Sequence, residues 1–179
     1  MPRRLDPNKI VRVRESRNLP DDPSADHLGD GECSLGTTSA MTGPGEGVTV
    51  RVSEEHHIAQ ARQVATALVR AIGFDQVGTS YAAVAVSELA GNIFLHATKG
   101  GTIILVDLRR EGEVGIGVIA EDDGPGIEDL ELALQDGFST AGGLGSGLPG
   151  VKRLMDEFEI RSRPGVGTRI VARKWQTCR

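Results

Sequence analysis

The chain has 179 residues, 39% apolar and 25% charged, with a net charge of −5, one Trp and one Tyr. That length carries one domain with a real core and not two comfortable ones. The acidic balance and the scarcity of rings argue against a nucleic-acid partner, and no apolar run approaches the roughly 20 residues of a membrane span.

The start, MPRRLDPNKI, lacks the apolar stretch of a secretory signal. Cys33 and Cys178 show no CxxC or Cys/His spacing and are read as reduced thiols, so the cytoplasm is the expected location. Residues 1–17 carry Arg3, Arg4, Lys9, Arg12, Arg14 and Arg17 against Asp6 and Glu15. Residues 18–47 hold six acids and no Lys or Arg among Gly, Pro, Ser and Thr. Such a composition buries too little apolar surface to offset its chain entropy. Residues 1–47 are therefore expected to form a disordered arm and residues 48–176 the folded domain.

From Val48 the pattern sharpens. VTVRV alternates as a strand does. Ser53 is the expected N-cap of a helix with Glu54 and Glu55 at its positive end. Ile58, Ala61, Ala65, Leu68 and Ile72 recur at helical spacing until Gly73. A second helix is expected from about Gln76 to His96, bounded by Lys99-Gly100-Gly101. TIILVDL and EVGIGVIAE read as a hairpin turning at Arg109–Gly112. Residues 124–150 are glycine-dense and suit a mobile loop. A helix to about Phe158 and a closing strand pair, FEIRSR and GTRIVARKW, complete the chain. The order predicts an α/β (α+β) two-layer sandwich, with helices on one face of a mostly antiparallel mixed sheet.

Three clusters carry the chemistry. In the second helix, Glu88 and Asn92 stand at i and i+4, one turn apart on one face. The Asn carbonyl suits Mg²⁺ that already receives phosphate oxygens, and the carboxylate suits a general base. Alone, the pair is weak, since solvated Glu and Asn are common on helices. At the end of an apolar strand comes Asp122-Asp-Gly124-Pro-Gly126-Ile127, where a carboxylate can accept from an exocyclic amine and glycines let a flat ring approach. An ordinary turn gives the same letters. Third, Gly142-Gly-Leu-Gly145-Ser-Gly147-Leu-Pro-Gly150 opens a helix, as a phosphate cradle does, although a hinge would read alike. Gly145–Gly150 also fits G-x-G-x-x-G. No strand immediately precedes it and too little chain follows for a dinucleotide fold, and the GK[ST] ending of a P-loop is absent.

In this order and on these elements, the three boxes resemble the nucleotide-binding set of the Bergerat (GHKL) superfamily, which includes histidine kinases, gyrase, MutL and anti-sigma-factor kinases. SELAGNIFLHATKGG, AEDDGPGI and DGFSTAGGLGSGLPGVKRLMDEF look like the RsbT-type switch kinases, over roughly Val48 to Trp175. The resemblance implies that Asn92 holds Mg²⁺ and that Glu88 is the general base. Asp122 would read the adenine amino group, with Gly124 and Gly126 lining the pocket. Gly143, Gly145 and Gly147 would form the lid over the triphosphate, capped by the helix from Leu148, and Thr168 would lie near the base. Lys152 and Arg153 could steady phosphate or simply face solvent. His96 is expected to be structural, and His56-His57 solvated.

The implied activity is Mg-ATP-dependent serine/threonine phosphorylation of STAS-domain antagonists (similar to RsbS and RsbR) in a stressosome-like complex. Release would then switch on an output protein such as a phosphatase. The rivals are an anti-sigma-factor kinase that sequesters a sigma factor and an adaptor that no longer transfers phosphate. The lid sequence favours the switch kinase, and intact Glu88, Asn92 and Asp122 argue against the adaptor.

Overall fold

The computed structural model describes residues 10–14, 47–135 and 147–178. The first element past the arm, β2 (Gly47–Val52), alternates outward and inward and buries Val50 and Val52. Helix α1 (His56–Ala71) starts later than expected. Ser53 does not cap it, because Ser53–Glu55 are spent on the turn out of β2. No side chain caps it, and the ring of His57 instead braces the preceding turn, its Nδ1 accepting from the Ser53 and Glu54 amides at 3.3 and 3.1 Å. His57, read as solvated, is half-buried over that turn, while His56 is exposed. At the far end Gly73 takes φ +96°, and the Phe74 amide reaches back to the Val69 carbonyl at 3.0 Å, the glycine-terminated exit the sequence implied.

Helix α2 (Gln76–His96) matches its expected limits. Asp75 caps it by accepting from the Gly78 amide at 2.7 Å. The cap is itself held, because Gln176 accepts from the Asp75 amide and donates to the Gly73 carbonyl. Ala82, Ala85, Leu89 and Ile93 are buried along α2, which packs against α1, the helix at 147–154 and the sheet. The small alanines let the helices close on one another.

The sheet is completed by β3 (Gly101–Arg110), β4 (Glu113–Asp122), β5 (Glu157–Arg163) and β6 (Gly167–Thr177). With β1 (Ile10–Arg14) the order is β1-β5-β6-β4-β3-β2, and every pairing among the described residues is antiparallel. Strand β1 lies inside the stretch read as an arm. The other residues of 1–46 lie outside the described residues. The helix-facing side of the sheet carries Leu105, Val118, Ile160 and Ala172, all fully buried. This is the expected two-layer sandwich, with the core between sheet and helices. No described helix is long and apolar enough to cross a membrane.

Two further expectations change. Helix α4 (Gly147–Leu154) stops well before Phe158, which is buried within β5. Asp156 ends the helix: its amide donates to the Arg173 carbonyl, and its carboxylate accepts from the Trp175 amide and the Lys174 ammonium. The chain is thus captured by β6. The stretch 124–150, expected as loop, contains a single-turn helix, α3 (Leu130–Ala133), capped by Asp129, whose carboxylate accepts from the Glu131 and Leu132 amides at 3.0 Å each. Residues 136–146 lie outside the described residues.

Candidate nucleotide site

Where the C-terminal half of α2 crosses the ends of β4 and β6, the two layers enclose a cavity of about 330 Å³. One wall is the face of α2 that carries Leu89, Asn92, Ile93 and His96. Those positions are i, i+3, i+4 and i+7, one helical stripe. The floor is the sheet: Ala120 and Asp122 alternate on β4, Thr168 and Ile170 on β6, and the two strands pair Asp122 with Thr168. The far wall is Pro125–Ile127, and the start of α4 closes one end with Gly147 and Leu148. The first-turn amides of a helix have no intrahelical acceptor, so this end favours negative charge.

The polar groups in this mainly apolar slot are few and placed apart. Asp122 Oδ1 accepts from the Gly124 amide at 2.8 Å, which fixes the carboxylate's direction. Asn92 Nδ2 is buried and has no hydrogen-bond partner among the described residues. A buried amide without a partner costs about 1–3 kcal/mol, which a ligand atom there would recover. Exchanging the amide's two ends turns that position into a carbonyl oxygen, so the same spot fits a phosphate oxygen or a phosphate-bound cation. Among the described residues no group of three or more His, Cys, Asp or Glu could hold a metal by themselves. A lone Asn fits Mg²⁺ carried in by phosphates rather than a protein-only cage.

Several backbones come so close here that only glycine fits. A Cβ on Gly124 would lie 2.8 Å from Asp122 Oδ1 and 3.1 Å from the His96 carbonyl oxygen. Gly126, at φ +72°, would collide with the Arg163 carbonyl. The Pro125–Ile127 wall is then tied to the β5–β6 turn by Gly165 N–H to Pro125 O at 2.7 Å and Ile127 N–H to Ser162 Oγ at 2.8 Å.

Of the residues singled out in the sequence, Asn92, Asp122, Gly126, Gly147, Leu148 and Thr168 line this one cavity, and Gly124 braces Asp122 beside it. Glu88 is half-buried one turn before Asn92 and does not line the cavity. Gly143 and Gly145 lie outside the described residues. Lys152 is half-buried and Arg153 exposed, both in the last turn of α4 rather than at its cavity end. His96, read as structural, is a wall of the slot. Leu89, Ile93 and Ile170 were also missed, although helical and strand periodicity from Asn92 and Thr168 would have found them.

A slot of this shape, apolar on both sides with a carboxylate at one edge, suits a flat ring that bears an amine. Residues 51–174 match the family model described as "Histidine kinase-like ATPase domain". The chain belongs to that family. It is 49% identical over 126 residues to the serine/threonine-protein kinase RsbT of Bacillus subtilis, covering 70% of this chain and 94% of that one. It is 38% identical over 96 residues to an anti-sigma F factor of Caldanaerobacter subterraneus, covering 51% of this chain and 66% of that one. Within the histidine kinase-like ATPases it is thus a serine/threonine-protein kinase of the RsbT type, and the slot is the candidate place for its nucleotide.

In a histidine kinase-like ATPase of this geometry, Asp122→Asn is expected to raise the ATP Kd by about 10- to 100-fold, the cost of losing a charged hydrogen-bond partner. Asparagine keeps the shape but not the acceptors. If its oxygen serves the Gly124 amide, its NH₂ faces the ligand's amine; if it turns over, two N–H groups meet. Calorimetric titration with ATP reads this directly. A Kd within twofold of wild type would mean that the carboxylate does not read the base.

Proposed function

We propose that this chain is a Mg-ATP-dependent kinase that phosphorylates a serine or threonine of a STAS-domain antagonist. Once released from that protein, it engages a downstream output protein, such as a phosphatase. The observation that carries the reading is the pairing of Asp122 and Asn92 in one slot. One supplies an acceptor for an amino-purine, and the other is a buried amide awaiting a phosphate-side partner.

In this reading Asp122 and Thr168 meet the base edge, and Leu89, Ile93 and Ile170 exclude water around the ring. Gly147 and Leu148 present the amide end of α4 toward the phosphates. Asn92 would hold Mg²⁺, whose chemistry is to draw negative charge off the phosphate oxygens. Glu88, on the same face of α2 as Asn92 and one turn away, takes the proton of the acceptor hydroxyl as its oxygen bonds the γ-phosphorus and the bond to ADP breaks. The half-buried but accessible position of Glu88, outside the slot, suits a group that serves an incoming protein side chain.

The test is phosphotransfer from Mg-ATP to STAS-domain proteins encoded in the same genome, read by intact mass. A gain of one phosphate, lost when Mg²⁺ is chelated, is the expected result. ATP binding with no transfer to any of them would overturn the reading. The similarity to anti-sigma F factors keeps a second reading in view, direct capture of a sigma factor. Its discriminating measurement is a pull-down against purified sigma factors, expected to be negative for a switch kinase.

A further inference from the structure

Three side chains form a row across the sheet beneath the slot. Ser162 on β5 pairs in register with Thr168 on β6, which pairs with Asp122 on β4. Asp122 and Thr168 line the cavity, whereas Ser162 stands behind them at 9% exposure. Its hydroxyl has three partners. The Ile127 amide donates to it at 2.8 Å, the Gly167 carbonyl lies 3.1 Å away, and Thr168 Oγ1 lies 2.9 Å away.

A serine hydroxyl owns one proton and two lone pairs. Ile127 N–H fills one lone pair, and a carbonyl can only accept. All three contacts are made at once in one arrangement: Ser162 gives its proton to Gly167 O and receives the proton of Thr168. Thr168 then has no proton left for the slot and offers it lone pairs alone. Two neighbouring acceptors, the Asp122 carboxylate and the Thr168 hydroxyl oxygen, face the ligand edge. An edge bearing an amine satisfies them, and one bearing a carbonyl oxygen is repelled.

We propose that Ser162 is a positioning residue that sets base specificity. It fixes the direction of the Thr168 proton, so that the slot prefers an amino-purine over an oxo-purine, and it ties the Ile127 wall to the same point. The inference rests on reading the slot as the ATP site. Ser162 itself does not line the cavity.

The test compares the Kd of ATP and ITP, two nucleotides that differ in the amino or oxo group, for wild type, Ser162→Ala, Ser162→Thr, Thr168→Val and the Ser162→Ala/Thr168→Val double variant. Ser162→Ala and Thr168→Val are each expected to lower the ATP-over-ITP preference by about 3- to 10-fold, the worth of one hydrogen bond. Ser162→Thr, which keeps the hydroxyl, is expected to restore it. The double variant is expected to lose no more preference than either single one, as it must if Ser162 acts through Thr168. A purely structural role would weaken both nucleotides equally in Ser162→Ala and leave the ratio alone, and that result overturns the proposal. Additive losses in the double variant overturn it too. Should wild type bind neither nucleotide, the ATP-site reading itself fails, an outcome distinct from an unchanged ratio.

Discussion

Glu88→Gln is expected to slow phosphotransfer by about 10²- to 10⁴-fold, the usual worth of a general base, with the ATP Kd held within twofold of wild type. The two side chains are nearly isosteric, so α2 keeps its packing. The amide cannot take a proton from the acceptor hydroxyl. Glu88 does not line the slot, which is why nucleotide affinity is expected to survive. Single-turnover transfer to the STAS-domain protein proposed as acceptor, with calorimetric ATP titration beside it, separates the two effects. A variant that transfers at half the wild-type rate would show that the carboxylate is not the base. Parallel loss of rate and of ATP affinity would assign Glu88 to holding α2 in place instead.

That separation follows from how the site is divided between local and distant parts of the chain, and the same division governed what could be read from sequence. Helix α2 was legible to its ends because its signals are local: an Ala-rich run from Gln76 stops before Lys99-Gly100-Gly101, and Asp75 caps its start. The β3–β4 hairpin was legible for the same reason, with Gly112 at φ +68° in its turn. Asn92, Asp122 and Gly147 could be named from motifs, yet their meeting depends on β4 and β6 pairing across more than forty residues of sequence. Ser162 had no local signal at all. In FEIRSR it is a polar residue of an alternating strand, and its role arises from Thr168 beside it and Ile127 35 positions away. The end of α4 failed similarly, since Asp156 stops it by bonding to β6. In the arm, averaging the composition over 47 residues concealed the alternation of Ile10–Arg14, whose partner β5 lies nearly 150 residues on.

The row of residues under the slot also predicts where the fold tolerates no change. Gly167→Ala is expected to cost about 3 kcal/mol or more, a large share of the roughly 5–15 kcal/mol that holds a domain together. Gly167 sits at φ +133°, where an L side chain is strained by about 1–3 kcal/mol. A methyl there would also overlap the Asp122 carbonyl oxygen and come within 3.0 Å of the Asp122 carbonyl carbon and of Asp123 Cα. Those atoms are backbone at the paired ends of β4 and β6, so they yield only if the ladder opens. Gly165→Ala is the matched control. It too has positive φ, +75°, but a Cβ there meets nothing within 4 Å. It should cost only the backbone term, about 1–2 kcal/mol. Urea unfolding midpoints of the two variants therefore compare a strained position that also collides with a strained one that does not. Because the atom displaced belongs to Asp122, Gly167→Ala should also weaken ATP at temperatures where the variant is still folded, and Gly165→Ala should not. Equal costs for the two glycines would mean that β4 and β6 are not pressed together at Gly167, and that Asp122 is aimed at the slot by its Gly124 bond alone.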